Sequence, residues 1–175
     1  LIAIATFYAK ETLELETETL ALGILMVQAI AFFGALGFGR LADRLGTKPA
    51  ILWSVALWSG VLAWGFFVPA GQELPFFVLA GLIGLVLGGT QALSRSLYGS
   101  MIPEEGSAEF CGFFSVFEKF SAIIGPFIFF AVDRMTGSSR GAVLSLLVFF
   151  IVGGLILSRL DVDEARRSRL EWDLG

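Results

Sequence analysis

Apolar residues run along this chain in long unbroken blocks, not in alternation with polar ones, and short charged clusters separate the blocks. The blocks cover about 20–38, 50–68, 76–98, 110–132 and 141–158. Each predicts a helix long enough to cross a hydrocarbon layer of ~30 Å, at ~1.5 Å rise per residue. A shorter apolar run at residues 1–9 reaches only ~14 Å on the same scale and is expected to be the cut end of a further helix. Neither a basic leader nor a small-residue cleavage site precedes the acidic stretch Glu11 to Glu18, so a signal peptide is the weaker expectation. Residues 10–19 are expected to form a loop or interfacial segment, and 161–175 a charged tail beyond a bundle spanning 1–160.

Composition sharpens that picture. The chain has 175 residues, of which 56% are hydrophobic and 16% charged, with a mean hydropathy of +0.82. So few polar side chains could not coat a water-soluble globule, and the expected class is an all-α membrane protein whose first partner is the lipid bilayer. A net charge of −4 gives no clustered basic face for phosphates, which sets a nucleic-acid partner aside. One cysteine, Cys111, cannot form an internal disulfide, and histidine is absent. With no phosphate loop, no paired-histidine zinc motif and no nucleophile elbow, no metal, cofactor or enzymatic activity is expected.

The stretch Gly39-Arg40-Leu41-Ala42-Asp43-Arg44-Leu45-Gly46-Thr47-Lys48 is the most strongly charged connection set tightly between two spans. Its glycines are expected to bracket a compact turn, with Pro49 opening the next helix at its first position. Arg40, Arg44 and Lys48 fall on the same side as Arg95, Arg159, Arg166, Arg167 and Arg169, against Lys10, Arg134 and Arg140 on the other. That asymmetry predicts a cytoplasmic 39–48 loop and a cytoplasmic tail.

Ionisable groups inside a span are costly, so each is a candidate for function. On the fourth span Gly112, Ser115, Glu118, Lys119, Ala122, Gly125 and Pro126 are expected to share a small and polar face, with Phe113, Phe117, Phe120, Ile124, Phe127 and Ile128 turned to lipid. Gly125-Pro126 predicts a helix bend, because proline withholds an amide from the helical ladder. The third span repeats the pattern, with Gly81, Gly84, Gly88, Gln91, Arg95 and Tyr98 on one face and Leu79, Leu82, Val86, Leu93 and Leu97 on the opposite, greasy one. From the cytoplasmic end Arg95 lies ~6 Å deep, Gln91 ~12 Å and Glu118 ~13 Å, so the last two are level and Arg95 reaches them only by extending along the helix. Gln28 is the polar residue of the 20–38 block. The plainer alternatives are an Arg95 that snorkels to the interface, a Glu118–Lys119 pair that only fixes packing, and a Gln28 that makes an ordinary interhelical hydrogen bond.

The 39–48 stretch resembles the cytoplasmic signature loop of the major facilitator superfamily, with Thr47 where its best-known form often has a basic residue. The run Gly88 to Tyr98, then Ile102-Pro103, Glu109-Phe110, Gly112 to Ser115, Lys119-Phe120, Gly125-Pro126 and Thr136 to Arg140, resembles the branch that includes the vacuolar amino-acid effluxers linked to autophagy and their bacterial relatives. The resemblance implies the C-terminal six-helix bundle of a twelve-helix secondary transporter, with its first helix truncated and two bundles rocking about a central site. It implies Gly39, Asp43, Arg44 and Gly46 in a cytoplasmic gating loop, and places the third and fourth spans as helices ten and eleven. The implied partners are the missing N-terminal six-helix half and a small polar solute, an amino acid among the candidates, moved with or without protons. Gln28, Gln91, Arg95, Glu118 and Lys119 are then the candidate transport path. The implied location is a bacterial-type cytoplasmic membrane, with a vacuolar membrane as the alternative. The rival from another class is a non-transporting helical scaffold or assembly protein whose buried charges only pair helices.

Overall fold

The computed structural model describes residues 17–68, 72–103, 107–137 and 139–173, all-helical apart from turns and short connections. Among the described residues six helices follow one another: α1 (Thr17–Leu45), α2 (Thr47–Phe67), α3 (Glu73–Gly99), α4 (Ser107–Thr136), α5 (Ser139–Arg159) and α6 (Val162–Asp173). Five of them are long and apolar enough to cross a membrane, and the chain is an all-α integral membrane protein. The apolar run at 1–9 and most of the acidic stretch after it lie outside the described residues.

The helices extend past the apolar blocks, because a backbone already in helical register keeps its hydrogen bonds beyond the hydrocarbon and charge does not break it. This corrects the expected turn at 39–48. Gly39 and Arg40 to Leu45 belong to α1, α2 starts at Thr47, and the reversal rests on Gly46 alone. Its φ of 92° is open to glycine without the Cβ penalty, and its amide donates to the Ala42 carbonyl at 2.8 Å. Pro49 is the third residue of α2, not the first; the first turn has no intrahelical acceptors for its amides, so the proline costs no hydrogen bond there.

α1 and α3 run parallel and in the closest contact of any two helices. A Cβ added at Gly84 would stand 2.7 Å from the Val27 carbonyl oxygen, and one at Gly88 would overlap the Ala31 carbonyl. Only the absence of side chains lets these backbones approach so nearly. At the end away from Gly46, Thr19 Oγ1 donates to Glu73 Oε1 at 3.0 Å.

The other side of α3 faces inwards as well. Leu79, Val86, Leu93 and Leu97 are buried, against the expectation of a greasy face opposite the glycines, and Leu82 alone of that set is exposed. α3 stands between α1 and α2, so both of its faces are covered. The main core joins Trp58, Val61 and Leu62 of α2 to Val86, Phe129 of α4 and Leu146 of α5. A second cluster at the loop end holds Phe38, Ala50, Ile51, Leu93, Leu97 and Val162. The last of these belongs to α6, so the charged tail contains a helix seated on the bundle.

Helix α4 has the least cover, with Phe129 its one buried residue among those described. It packs along α5 and meets α3 through side chains. Its apolar surface, including Phe113, Phe120, Ile123 and Phe127, is exposed, as suits a helix bordered by lipid or by a further bundle.

Candidate functional site

The charged residues of α3 and α4 meet across an open cleft. Arg95 Nη2 lies 3.2 Å from Glu118 Oε1, within hydrogen-bond and ion-pair range, and the two side chains are 63% and 49% exposed. Glu118 thus pairs across helices with Arg95, not along its own helix with Lys119, and Arg95 turns into the cleft instead of snorkelling away. At that exposure such a pair is worth only ~0–1 kcal/mol. The cleft encloses about 380 Å³; Thr90, Gln91 and Ser94 line it from α3, and Phe114, Phe117 and Ser121 from α4. Charged and amide groups therefore sit beside two phenyl rings, a surface suited to a small molecule with a polar head and an apolar body.

The face that α4 turns to α3 differs from the one its sequence predicts. Phe114, Phe117, Glu118 and Ser121 line the cleft, a stripe turned by ~100°, one residue's advance, from the expected small and polar face. Phe117, expected on the lipid side, borders the cleft while remaining 69% exposed. Lys119 is exposed, lies outside the cleft and makes no hydrogen bond or ion pair among the described residues; Gln28 is likewise exposed and outside it. The structure therefore brings together Gln91, Arg95 and Glu118 of the candidate path and leaves Gln28 and Lys119 apart. Gly125 and Pro126 line an adjoining cavity of about 420 Å³ between α4 and α5, which shares Ser121 with the first. Asp43 and Arg44 are exposed at the end of α1, and the Asp43 carboxylate accepts no hydrogen bond among the described residues.

With this geometry in hand, the similarity to known proteins is decisive for the family. The family described as "Vacuole effluxer Atg22 like" matches residues 1–170. The chain belongs to the Atg22-like family. It is 31% identical over 158 residues to the uncharacterized MFS-type transporter YxiO of Bacillus subtilis (strain 168), covering 90% of this chain and 36% of that protein. It is 32% identical over 183 residues to autophagy-related protein 22 of Cryptococcus neoformans var. neoformans serotype D (strain B-3501A), covering 96% and 33% respectively. With autophagy-related protein 22-1 of Penicillium rubens the identity is 28% over 176 residues, covering 94% and 30%. The chain thus spans about a third of the length of these relatives. No solved structure matches it.

Several contacts of this Atg22-like chain join residues that the sequence does not single out as partners. Trp58, 2% exposed, donates from Nε1 to Thr90 Oγ1 at 3.1 Å, while the same hydroxyl donates to the Val86 carbonyl at 2.6 Å. Trp58 also stacks on Phe150 of α5, with ring centroids 5.5 Å apart. One indole therefore braces α2, α3 and α5 immediately behind the cleft. Its mid-span position is the available signal, because Trp53 and Trp64 are exposed and a tryptophan deep in a span needs an acceptor for its N–H. Tyr98 packs against Phe114 with ring centroids 4.8 Å apart and the planes tilted by 33°, and it donates its hydroxyl to the Phe110 carbonyl at 2.8 Å, which ties the last turn of α3 to the first turns of α4.

The loop end carries its own polar ties. Lys48 Nζ donates to the carbonyls of Ser158 at 2.9 Å and Leu160 at 2.7 Å, satisfying the C-terminus of α5. Asp161 caps α6 by accepting from the amides of Asp163 and Glu164, both at 3.0 Å. The Glu164 amide, followed by that of Asp163 and the charges of Lys48 and Arg167, holds its carboxyl below the ordinary value of 3.8.

Proposed function

We propose that this chain is part of a secondary active transporter that moves a small polar solute, an amino acid being the leading candidate, across a membrane by alternating access. What carries the proposal is the Arg95–Glu118 pair bridging the α3–α4 cleft beside Gln91, in a chain of the Atg22-like family. The name of one relative, an MFS-type transporter, and the family's description as vacuole effluxers support the activity, and the greater length of the relatives supports a second bundle as partner. Arg95 offers a guanidinium to a solute carboxylate, and displacement of the ion pair frees Glu118 to take a proton. Alternation between the paired and solute-bound arrangements couples solute to proton. Asp43 and Arg44, exposed at the α1–α2 reversal, are the gate residues, with Gly39 and Gly46 shaping that end. Gly125 and Pro126 are the weak point where α4 bends, since the proline has no amide to offer the Ala122 carbonyl. The 39–48 end and the α6 end face the cytoplasm in this reading, in a bacterial-type cytoplasmic membrane or, in line with the family's description, a vacuolar one.

Counterflow of labelled amino acids in proteoliposomes containing the intact protein tests transport itself; a scaffold shows none with any of them. Within an active preparation, Glu118→Gln abolishes the dependence of uptake on a pH gradient while leaving counterflow measurable. Uptake that still follows the gradient refutes the coupling role of Glu118.

A further inference from the structure

Helix α6 lies across the loop end of the bundle and touches the ends of three other helices. Its Val162 is buried among Phe38, Ile51, Leu93 and Leu97. One turn further on, Arg166 donates from Nε and Nη2 to Ser100 Oγ at 3.3 and 3.2 Å, and after about one turn more Arg169 donates from Nη1 to the Ser100 carbonyl at 3.4 Å. Ser100 is the C-cap of α3. The last carbonyls of a helix lack intrahelical donors and carry the negative end of its dipole, so an arginine is a fitting partner for that position. At the other end of α6, Asp161 holds the first turn in place and Lys48 of α2 grips the carbonyls that close α5.

We infer that α6 is a clasp: Arg166 and Arg169 hold the end of α3 to the ends of α2 and α5, and through Tyr98 this restraint reaches the start of α4. Tyr98 stands two residues before Ser100, in the same last turn of α3, and donates to the Phe110 carbonyl while its ring packs against Phe114. A tether on Ser100 thereby sets where α4 begins, and with it the width of the cleft that Arg95 and Glu118 span. The contacts of Arg166 are exposed and therefore easily exchanged, which suits a clasp that loosens in one conformation and closes in another. This role goes beyond the transport reading and stands whether or not an amino acid is the solute.

Hydrogen exchange read by mass spectrometry on the intact protein in detergent tests it without any solute. In Arg166→Ala combined with Arg169→Ala, the segments 96–103 and 107–117 both exchange at least ~3-fold faster, as expected when charge-assisted hydrogen bonds that restrain a helix end are removed. Residues 54–64, in the middle of α2, keep their wild-type exchange. Wild-type exchange at 107–117 overturns the inference, because the restraint then stops at α3. Equal acceleration at 54–64 also overturns it, by reducing α6 to a general stabiliser. Ser100→Ala removes only the hydroxyl acceptor and gives a smaller acceleration of the same two segments; if the double variant does not fold, wild-type exchange in Ser100→Ala is the overturning result.

Discussion

Replacing Gly88 by alanine puts the packing of α1 on α3 to its sharpest test. Considered as a helix residue alone, the change is favourable by ~1 kcal/mol, since glycine is the poorer helix former. The structure reverses the sign. The new methyl would overlap the Ala31 carbonyl, with the Ala31 carbonyl carbon 2.6 Å and its Cα 2.8 Å away. These are backbone atoms, with no flexible side chain to swing aside, so the two helices must separate along the seam. Overpacking of this kind costs ~1–3 kcal/mol, and separation also loosens the Gly84 contact one turn away. Set against the propensity gain, the net is a destabilisation of up to about 2 kcal/mol. Gly60→Ala is the matched control, because nothing lies within 4 Å of a Cβ at that position. Thermal unfolding of the intact protein in detergent should therefore lower the midpoint for Gly88→Ala by a few degrees and leave Gly60→Ala at or above wild type. A Gly88→Ala midpoint equal to that of Gly60→Ala would refute the close approach of the two backbones.

Trp58→Phe keeps an aromatic ring against Phe150 but removes the N–H that reaches Thr90; the expected loss is about 1 kcal/mol of stability in thermal unfolding, and Trp58→Leu should lose more because the stack goes too. Asp161 has a carboxyl whose folded value is depressed by the α6 amides, so its contribution to holding α6 is fully present above the unfolded value of 3.8 and is lost as pH falls through the lower folded one. Exchange at residues 162–170 of α6 should accordingly rise, relative to the rest of the chain, on acidification below that value. Asp161→Asn, which caps without a titrating group, should remove that rise.

Much of the architecture was legible in the chain itself. The five apolar blocks became α1 to α5 because a run of apolar side chains of membrane-crossing length satisfies its own backbone only as a helix. Helix ends were less legible. The charges of Arg40, Asp43 and Arg44 read as a loop, yet α1 continues through all three until Gly46, because backbone hydrogen bonds outlast the hydrophobic block. Depth alone puts Gln91 level with Glu118 and leaves Arg95 nearer the helix end, so the Arg95–Glu118 pair is decided by the structure, as is a rotation of α4 by about one residue from the side that periodicity favours. Small and polar residues occupy one side of α4, and periodicity alone favours that side, but Phe114 is the residue that packs against Tyr98 of α3, while Gly112 and Ser115 stay exposed.

What the linear order of residues determined is therefore local: where helices form, which segments enter the hydrocarbon, and that Gly46 can reverse the chain. Which faces meet was decided only by packing. Gly84 and Gly88 could have served any neighbour; α1 takes that seam because its own Val27 and Ala31 lie at matching heights. Trp58 found Thr90, and Arg166 found Ser100, across separations that no periodicity encodes. A hydrophobic block specifies its transfer from water residue by residue, whereas the partner of a polar group in a low-dielectric interior depends on which helices the whole bundle brings beside it.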